Sequence, residues 1–159
     1  MEVWRLTRAA HRDRALDGAG AQQFGNRWNS KGTAMAYTSS SLELAVLESM
    51  MHLSLHQIPT DYVWLCHEIP ADSIEILDPL PALWDEPMPY EPSVQAIGDQ
   101  WIQSGRSLAL RVPATVLPMR NNILINPAHR RFAQVRLTDS GDFTWPTRLL
   151  ARLGAPVLR

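Results

Sequence analysis

Gly25-Asn26-Arg27-Trp28-Asn29-Ser30-Lys31-Gly32, then Thr33–Thr38, then Ser39-Ser40-Ser41-Leu42-Glu43-Leu44-Ala45-Val46-Leu47-Glu48 and on to Leu55, is the stretch on which the fold turns. It reads as a loop, a short strand closing on Tyr37, and a helix opened by a serine run. Ser40 and Glu43 have capping-box spacing, so a helix starting near Ser40 or Ser41 has its first free N–H groups satisfied locally. At helical spacing Leu44, Leu47, Met51 and Leu55 form one core stripe, while Leu42, Val46, Met50 and Leu53 are apolar on the other side. A helix apolar nearly all round is expected to be buried on most faces. Ser41, Glu48 and His52 fall in one polar column. A carboxylate in such surroundings is costly unless it is paired, protonated or lining a wet cleft; the last of these is the functional option.

Outward from this stretch, 159 residues and 45% apolar content suit one domain with one core. A formal charge of −1 gives no electrostatic footprint for duplex nucleic acid or an anionic membrane. The lone Cys66 excludes an internal disulfide framework and reads as a buried small hydrophobe. No apolar run has membrane-spanning length and Met1–Ala10 has no signal-peptide pattern, so a cytoplasmic location is expected.

Alternation predicts strands at Glu2–Thr7, Asp61–Ile69, Ile74–Leu77, Leu108–Val112, Asn122–Asn126 and Phe132–Leu137, with a turn at Asp139–Gly141. His11–Gln23 reads as irregular. Ser93 is expected to cap a helix through Gln103 with Val94, Ile97 and Trp101 on one face, ended by Gly105. The proline-dense segment Leu80–Pro92, carrying Trp84, Met88 and Tyr90, reads as a stiff loop, either a lid or contact surface or a plain linker. The tail to Arg159 forms a short helix or frays. Strands outnumber helices and are irregularly interleaved, which favours α+β over a doubly wound sheet.

Several chemistries drop out: there is no nucleophile elbow, no phosphate loop and no dinucleotide glycine fingerprint. His67-Glu68 lacks the two further cysteines a deaminase zinc site needs. His52 and His56 are spaced for a metal but lack a third ligand, so no metal is expected. Arg27, between Asn26 and Trp28, is either a bidentate anion ligand or a surface arginine. Tyr37 either stacks on a planar ring or covers the core. Asn122 and Asn126 bracket a strand where asparagines close turns, and His129 after the Pro127 turn is either a site residue or structural.

Taken together, W-R-L at Trp4–Leu6, G-N-R-W-N at Gly25–Asn29, the run from Tyr37 to Glu48, S-L-A-L-R-V-P at Ser107–Pro113 and N-I-L-I-N-P-A-H at Asn122–His129 resemble the RES domain, in the right order over nearly the whole chain. That resemblance implies one domain over residues 1–159 with an ADP-ribosyltransferase-like fold of mixed β-sheets and flanking helices. It implies the toxin of a toxin–antitoxin module that cleaves the nicotinamide–ribose bond of NAD by hydrolysis or phosphorolysis. The implied partner is a helix-turn-helix (Xre-type) antitoxin, with a homodimer possible inside the complex. Some members modify a protein instead.

Residue by residue, Arg27 is similar to the family arginine, Glu48 to its glutamate and Tyr37 to the aromatic beside nicotinamide. The expected ligand contacts are Arg5, Arg27, Trp28, Asn29, Tyr37, Ser39, Asn122, Asn126 and His129, with NAD as substrate. One departure stands out. Ala114 occupies the place of the family serine, so Thr115 or a hydroxyl of Ser39–Ser41 substitutes, the serine is dispensable, or the chain is a weakened NAD- or partner-binding module.

Overall fold

In the computed structural model, which describes residues 1–53 and 58–152, seven strands form one mixed sheet. They are β1 (Glu2–Arg8), β2 (Ala36–Ser39), β3 (Tyr62–Glu68), β4 (Ile74–Ile76), β5 (Ala109–Pro113), β6 (Asn121–Ile125) and β7 (Arg136–Phe143), in the order β4-β5-β6-β2-β1-β3-β7. Among the described strands only β4 and β5 pair in parallel. The helices are α1 (Ala19–Phe24), α2 (Leu42–Met51), α3 (Pro92–Ser104) and α4 (Thr147–Arg152). The α+β expectation holds, with one sheet where several were expected. No helix among the described residues is long and apolar enough to cross a membrane.

Alternation sorts the core onto two faces. Ala109, Ile123 and Ile125 join Val3 and Ala36 on one face, beneath Leu16 and Phe132. Leu110, Val112 and Leu124 point the other way, against Val94 and Trp101 of α3, with Trp28 and Met35 between. Leu6 meets Ala45 of α2 and Trp145. Because Trp4, Ser39 and Asn122 stand opposite one another across the registers, and Leu6, Tyr37 and Leu124 lie two residues along on the same side of each strand, α2 and α3 cover the same face of the sheet.

Several local expectations are corrected. Of the two expected helix starts, Ser41 is the N-cap of α2, accepting from Leu44 N at 3.3 Å, and the Glu43 carboxyl is held below its usual range by its own N–H and by the Ser41 hydroxyl donating to it. Leu44 and Ala45 are the buried face of α2, whereas Leu47 is 37% and Met51 68% exposed. A helix apolar on all sides has no stripe for periodicity to find, and its seat on β1 and β2 decides. Leu55 and His56 lie outside the described residues.

The expected strand Phe132–Leu137 is instead a 3-10 turn at Phe132–Gln134 followed by β7, which runs through the expected turn at Asp139–Gly141. β7 is a polar edge strand, paired only with β3, and Gly141 leaves room for the indole of Trp64: a Cβ there would lie 2.8 Å from its Nε1. His11–Gln23 takes in the end of a 3-10 turn at Ala9–Arg14 and most of α1. α3 is capped by Glu91 with Pro92 in its first turn, rather than by Ser93, and ends on Gly105 at φ 56° as expected. Cys66 is buried, and burial pushes its thiol up.

Candidate functional site

β1 and β2 meet through one register pair, Trp4 opposite Ser39. Beyond it the strands part, and Arg5 spans the gap, donating from Nη1 to the Tyr37 carbonyl at 2.5 Å. Among the described residues Arg5 has no carboxylate within ion-pair distance, and its buried Nε has no hydrogen-bond partner. Burial lowers its pKa, with Asp17 opposing, yet a guanidinium stays charged. A desolvated cation so poorly paired is relieved by an acceptor oxygen brought in by a ligand.

Over this split lies a cleft of about 500 Å³, within the roughly 300–1,000 Å³ range of small-molecule sites. Glu48 of α2 and His52, which caps the C-terminus of that helix, reach it from one side, Arg27 and Tyr90 from another, and Arg5, Tyr37 and Ser39 form its floor. Asn122 donates from Nδ2 to Glu48 Oε1 at 2.6 Å, and the Ser39 hydroxyl donates to Asn122 Oδ1 at 2.9 Å. Glu48 is therefore the carboxylate lining a wet cleft, and it is also hydrogen-bonded.

Arg27 sits in a loop gripped by α3. Gln95 donates to the carbonyls of Asn26 and Asn29 at 2.8 and 3.2 Å. Asp99 accepts from Ser30 N at 3.1 Å and from its hydroxyl. From this base the Arg27 Nη1 donates to the Trp84 and Glu86 carbonyls at 2.7 and 2.6 Å, and Cζ lies 4.9 Å from the Tyr90 ring centre. The proline-dense segment is thus a strap over the cleft, contributing Asp85, Pro87, Met88 and Tyr90 to its wall. One edge of the guanidinium latches the strap; among the described residues no partner occupies Nε or Nη2, leaving a fork for an anion.

The Tyr37 hydroxyl donates to Asn29 Oδ1 at 2.8 Å and accepts from Trp28 N at 3.1 Å. Burial drives this phenol far above its ordinary value, so it remains a donor. Trp28 borders the cleft but is 2% exposed, its ring packed in the core, which leaves no free face to sandwich a ligand.

Three expected contacts are not brought to the cleft. Asn29 is buried and spends Nδ2 on the carbonyls of Ala21, Ser30 and Thr33. Asn126 closes a turn, donating to Ile102 O and accepting from Ala128 N. His129 accepts from Arg131 N through Nδ1. Sequence reasoning missed Asn26, Asp85 and Val116, which also line the cleft and carry no local signal.

A family model for the RES domain matches residues 2–146. The chain belongs to the RES-domain family. It is 36% identical over 153 residues to "Toxin Res" of Photorhabdus laumondii, covering 94% of this chain and 97% of that one. It is 39% identical over 133 residues to "Prs ADP-ribosylating toxin" of a Sphingobium species, covering 79% and 82%. Its fold is similar to a chain in the crystal structure of the M. tuberculosis MbcT-MbcA toxin-antitoxin complex, with a TM-score of 0.61 and 22% identity over 96% of this chain and 87% of that one.

For this RES-domain chain the departure at Ala114 has a simple geometry. Ala114 is fully buried, and its N–H donates to Arg120 O at 2.9 Å. Its neighbours Pro113 and Thr115 line the cleft, so the hydroxyl available on this wall belongs to Thr115.

Proposed function

We propose that this RES-domain protein breaks the nicotinamide–ribose bond of NAD and serves as the toxin of a toxin–antitoxin pair in the cytoplasm. The observation that carries the reading is the convergence on one cleft of a held carboxylate, two arginines with unspent donors and an aromatic. The names of its relatives point the same way.

In the bond-breaking step the C–N pair leaves with nicotinamide, which departs neutral, and positive charge develops on the ribose. Glu48 Oε1 is occupied by Asn122, so Oε2 is the oxygen free to accept from a ribose hydroxyl and face that charge. The fork of Arg27 and the guanidinium of Arg5, which borders the cleft, hold the pyrophosphate and place the reacting carbon. The ring of Tyr37, its hydroxyl tied behind it, borders the nicotinamide subsite. Nothing in this chemistry requires a metal.

Water or phosphate captures the ribosyl carbon from the open side of the cleft. A protein nucleophile is the second reading, favoured by the likeness to a Prs ADP-ribosylating toxin. A helix-turn-helix antitoxin, Xre-type, would close the cleft mouth, where Met51 and Met88 stand 68% and 70% exposed. The test is incubation of purified protein with NAD labelled on the adenylate, with and without phosphate. Free nicotinamide with label in solution supports cleavage; label retained on a protein supports transfer; intact NAD with folded protein overturns both.

A further inference from the structure

We infer that Asn122 is a positioning residue whose amide aims and holds the Glu48 carboxylate, and that Ser39 sets the orientation of that amide. The inference rests on the proposed role of Glu48 but adds a residue acting through it rather than on the substrate.

The arrangement follows from the fold. Ser39 and Asn122 are direct register partners on β2 and β6, so their side chains stand side by side on the face that α2 covers. Ser41 caps α2 immediately after β2 ends, and two helical turns later Glu48 comes down over the pair. The amide has one orientation that works. With Nδ2 toward Glu48 it donates at 2.6 Å, and Oδ1 receives the Ser39 hydroxyl at 2.9 Å. Flipped, Oδ1 would face a carboxylate oxygen at the same short separation, two acceptors with no proton between them. A carboxylate cannot donate, so it fixes the amide, and the Ser39 donor reinforces the choice. Fixing Oε1 removes the rotation of Glu48 that would otherwise trade its two oxygens, leaving Oε2 toward the cleft.

Asn122→Asp is the discriminating change. It keeps shape and keeps the acceptor for Ser39, but sets two carboxyl groups together. Such a pair retains one proton well above the ordinary carboxyl range, and once protonated the introduced carboxyl donates to Glu48 as the amide does. The other ionisable groups bordering the cleft are Arg5 of β1, Arg27 of the α3-held loop, Tyr37 of β2, His52 at the end of α2, and Asp85 and Tyr90 of the strap. The readout is the ratio of variant to parent at each pH, in which the groups common to both are compared like for like.

The experiment measures nicotinamide release from NAD and thermal melting for the parent, N122D, S39A and the double variant E48Q/N122D, from pH 5.5 to 8. For N122D, kcat is expected to fall about 10- to 100-fold at pH 8, the cost of losing a hydrogen bond to a charged group, with KM within about twofold. The ratio to the parent recovers on acidification. Its melting deficit is also largest at pH 8 and shrinks toward pH 5.5, because a folded-state carboxyl pKa raised above its unfolded value stabilises only where it is protonated. In E48Q/N122D that pH dependence of melting disappears, since the glutamine amide donates to the introduced carboxylate. S39A is expected to lower kcat at every pH.

A loss in KM instead of kcat, or a pH-independent activity ratio, would assign Asn122 to the ligand and overturn the inference. A pH-independent melting deficit overturns it whether or not the parent cleaves NAD. A parent that releases no nicotinamide refutes the proposed function alone, because melting still tests the Asn122–Glu48 contact.

Discussion

Gly98, in the middle of α3, gives a prediction whose sign is set by geometry against propensity. A Cβ at this position would lie 1.8 Å from the Trp28 carbonyl oxygen, 2.9 Å from its carbon and 3.1 Å from Met35 Cε. Alanine is the better helix former by about 1 kcal/mol, so a free helix would gain from Gly98→Ala. Here the obstacle is backbone, and reaching an ordinary contact of about 3.5 Å means opening the interface by roughly 1.7 Å. The loop cannot yield freely, because Gln95 and Asp99 of the same helix hold it on either side of that point. Overpacking of this kind costs about 1–3 kcal/mol, and against rigid backbone the upper end applies. Net of propensity, a loss of about 2 kcal/mol is expected, which in a domain of this size lowers Tm by roughly 4–8 °C. Since Arg27 adjoins Trp28, KM for NAD should rise as well. Calorimetric melting of Gly98→Ala beside the parent decides it; an unchanged or higher Tm would refute the close approach of α3 to the Arg27 loop.

Releasing the strap should be visible without any activity assay. Arg27→Ala removes both latching hydrogen bonds and the contact with Tyr90, and protease cleavage between Leu80 and Glu91 is expected to accelerate by about tenfold; an unchanged digestion rate argues that the strap is held by its own packing. His67 supplies a pH dependence of stability. Its ring is buried with Nδ1 unpartnered among the described residues, and burial first, then the charge of Arg5, lowers its pKa below the ordinary value. The unfolded chain then binds the proton more readily, so stability is lost as pH falls through about 6.5 toward the folded-state pKa. His67→Gln should flatten that loss in melting curves between pH 7.5 and 5.5, and a parent and variant with parallel pH profiles would exclude the effect.

How much of this was legible in the sequence depends on what each residue had to reveal. Strands β1, β3, β5 and β6 are marked by alternating apolar side chains that end up on opposed faces of a covered sheet. β7 is not, because between Leu137 and Phe143 it runs through Thr, Asp, Ser, Gly and Asp with no apolar alternation, and it owes its pairing to β3 and to Trp64 lying over Gly141. Glu48 was legible as a carboxylate among apolar neighbours, and Arg27 as a loop guanidinium between polar residues. Asn29, Asn126 and His129 resemble ligand contacts by type, but a turn-closing asparagine and a ligand-binding one have the same side chain; only the saturation of Asn29 by three carbonyls tells them apart. The strap over Arg27 and the grip of Gln95 and Asp99 join residues more than fifty apart, and no local pattern announces such contacts.

The most direct measurement is nicotinamide release under saturating NAD by the parent and by Glu48→Gln, with NAD binding to each followed by calorimetry. The glutamine keeps the size of the side chain and an oxygen for the Asn122 amide but removes the negative charge facing the ribose. Binding within a few-fold of the parent, together with release slower by at least about a hundredfold, is the expected result. Release at the parental rate by a variant that binds NAD normally would contradict the assignment of Glu48 as the group that stabilises the ribosyl cation.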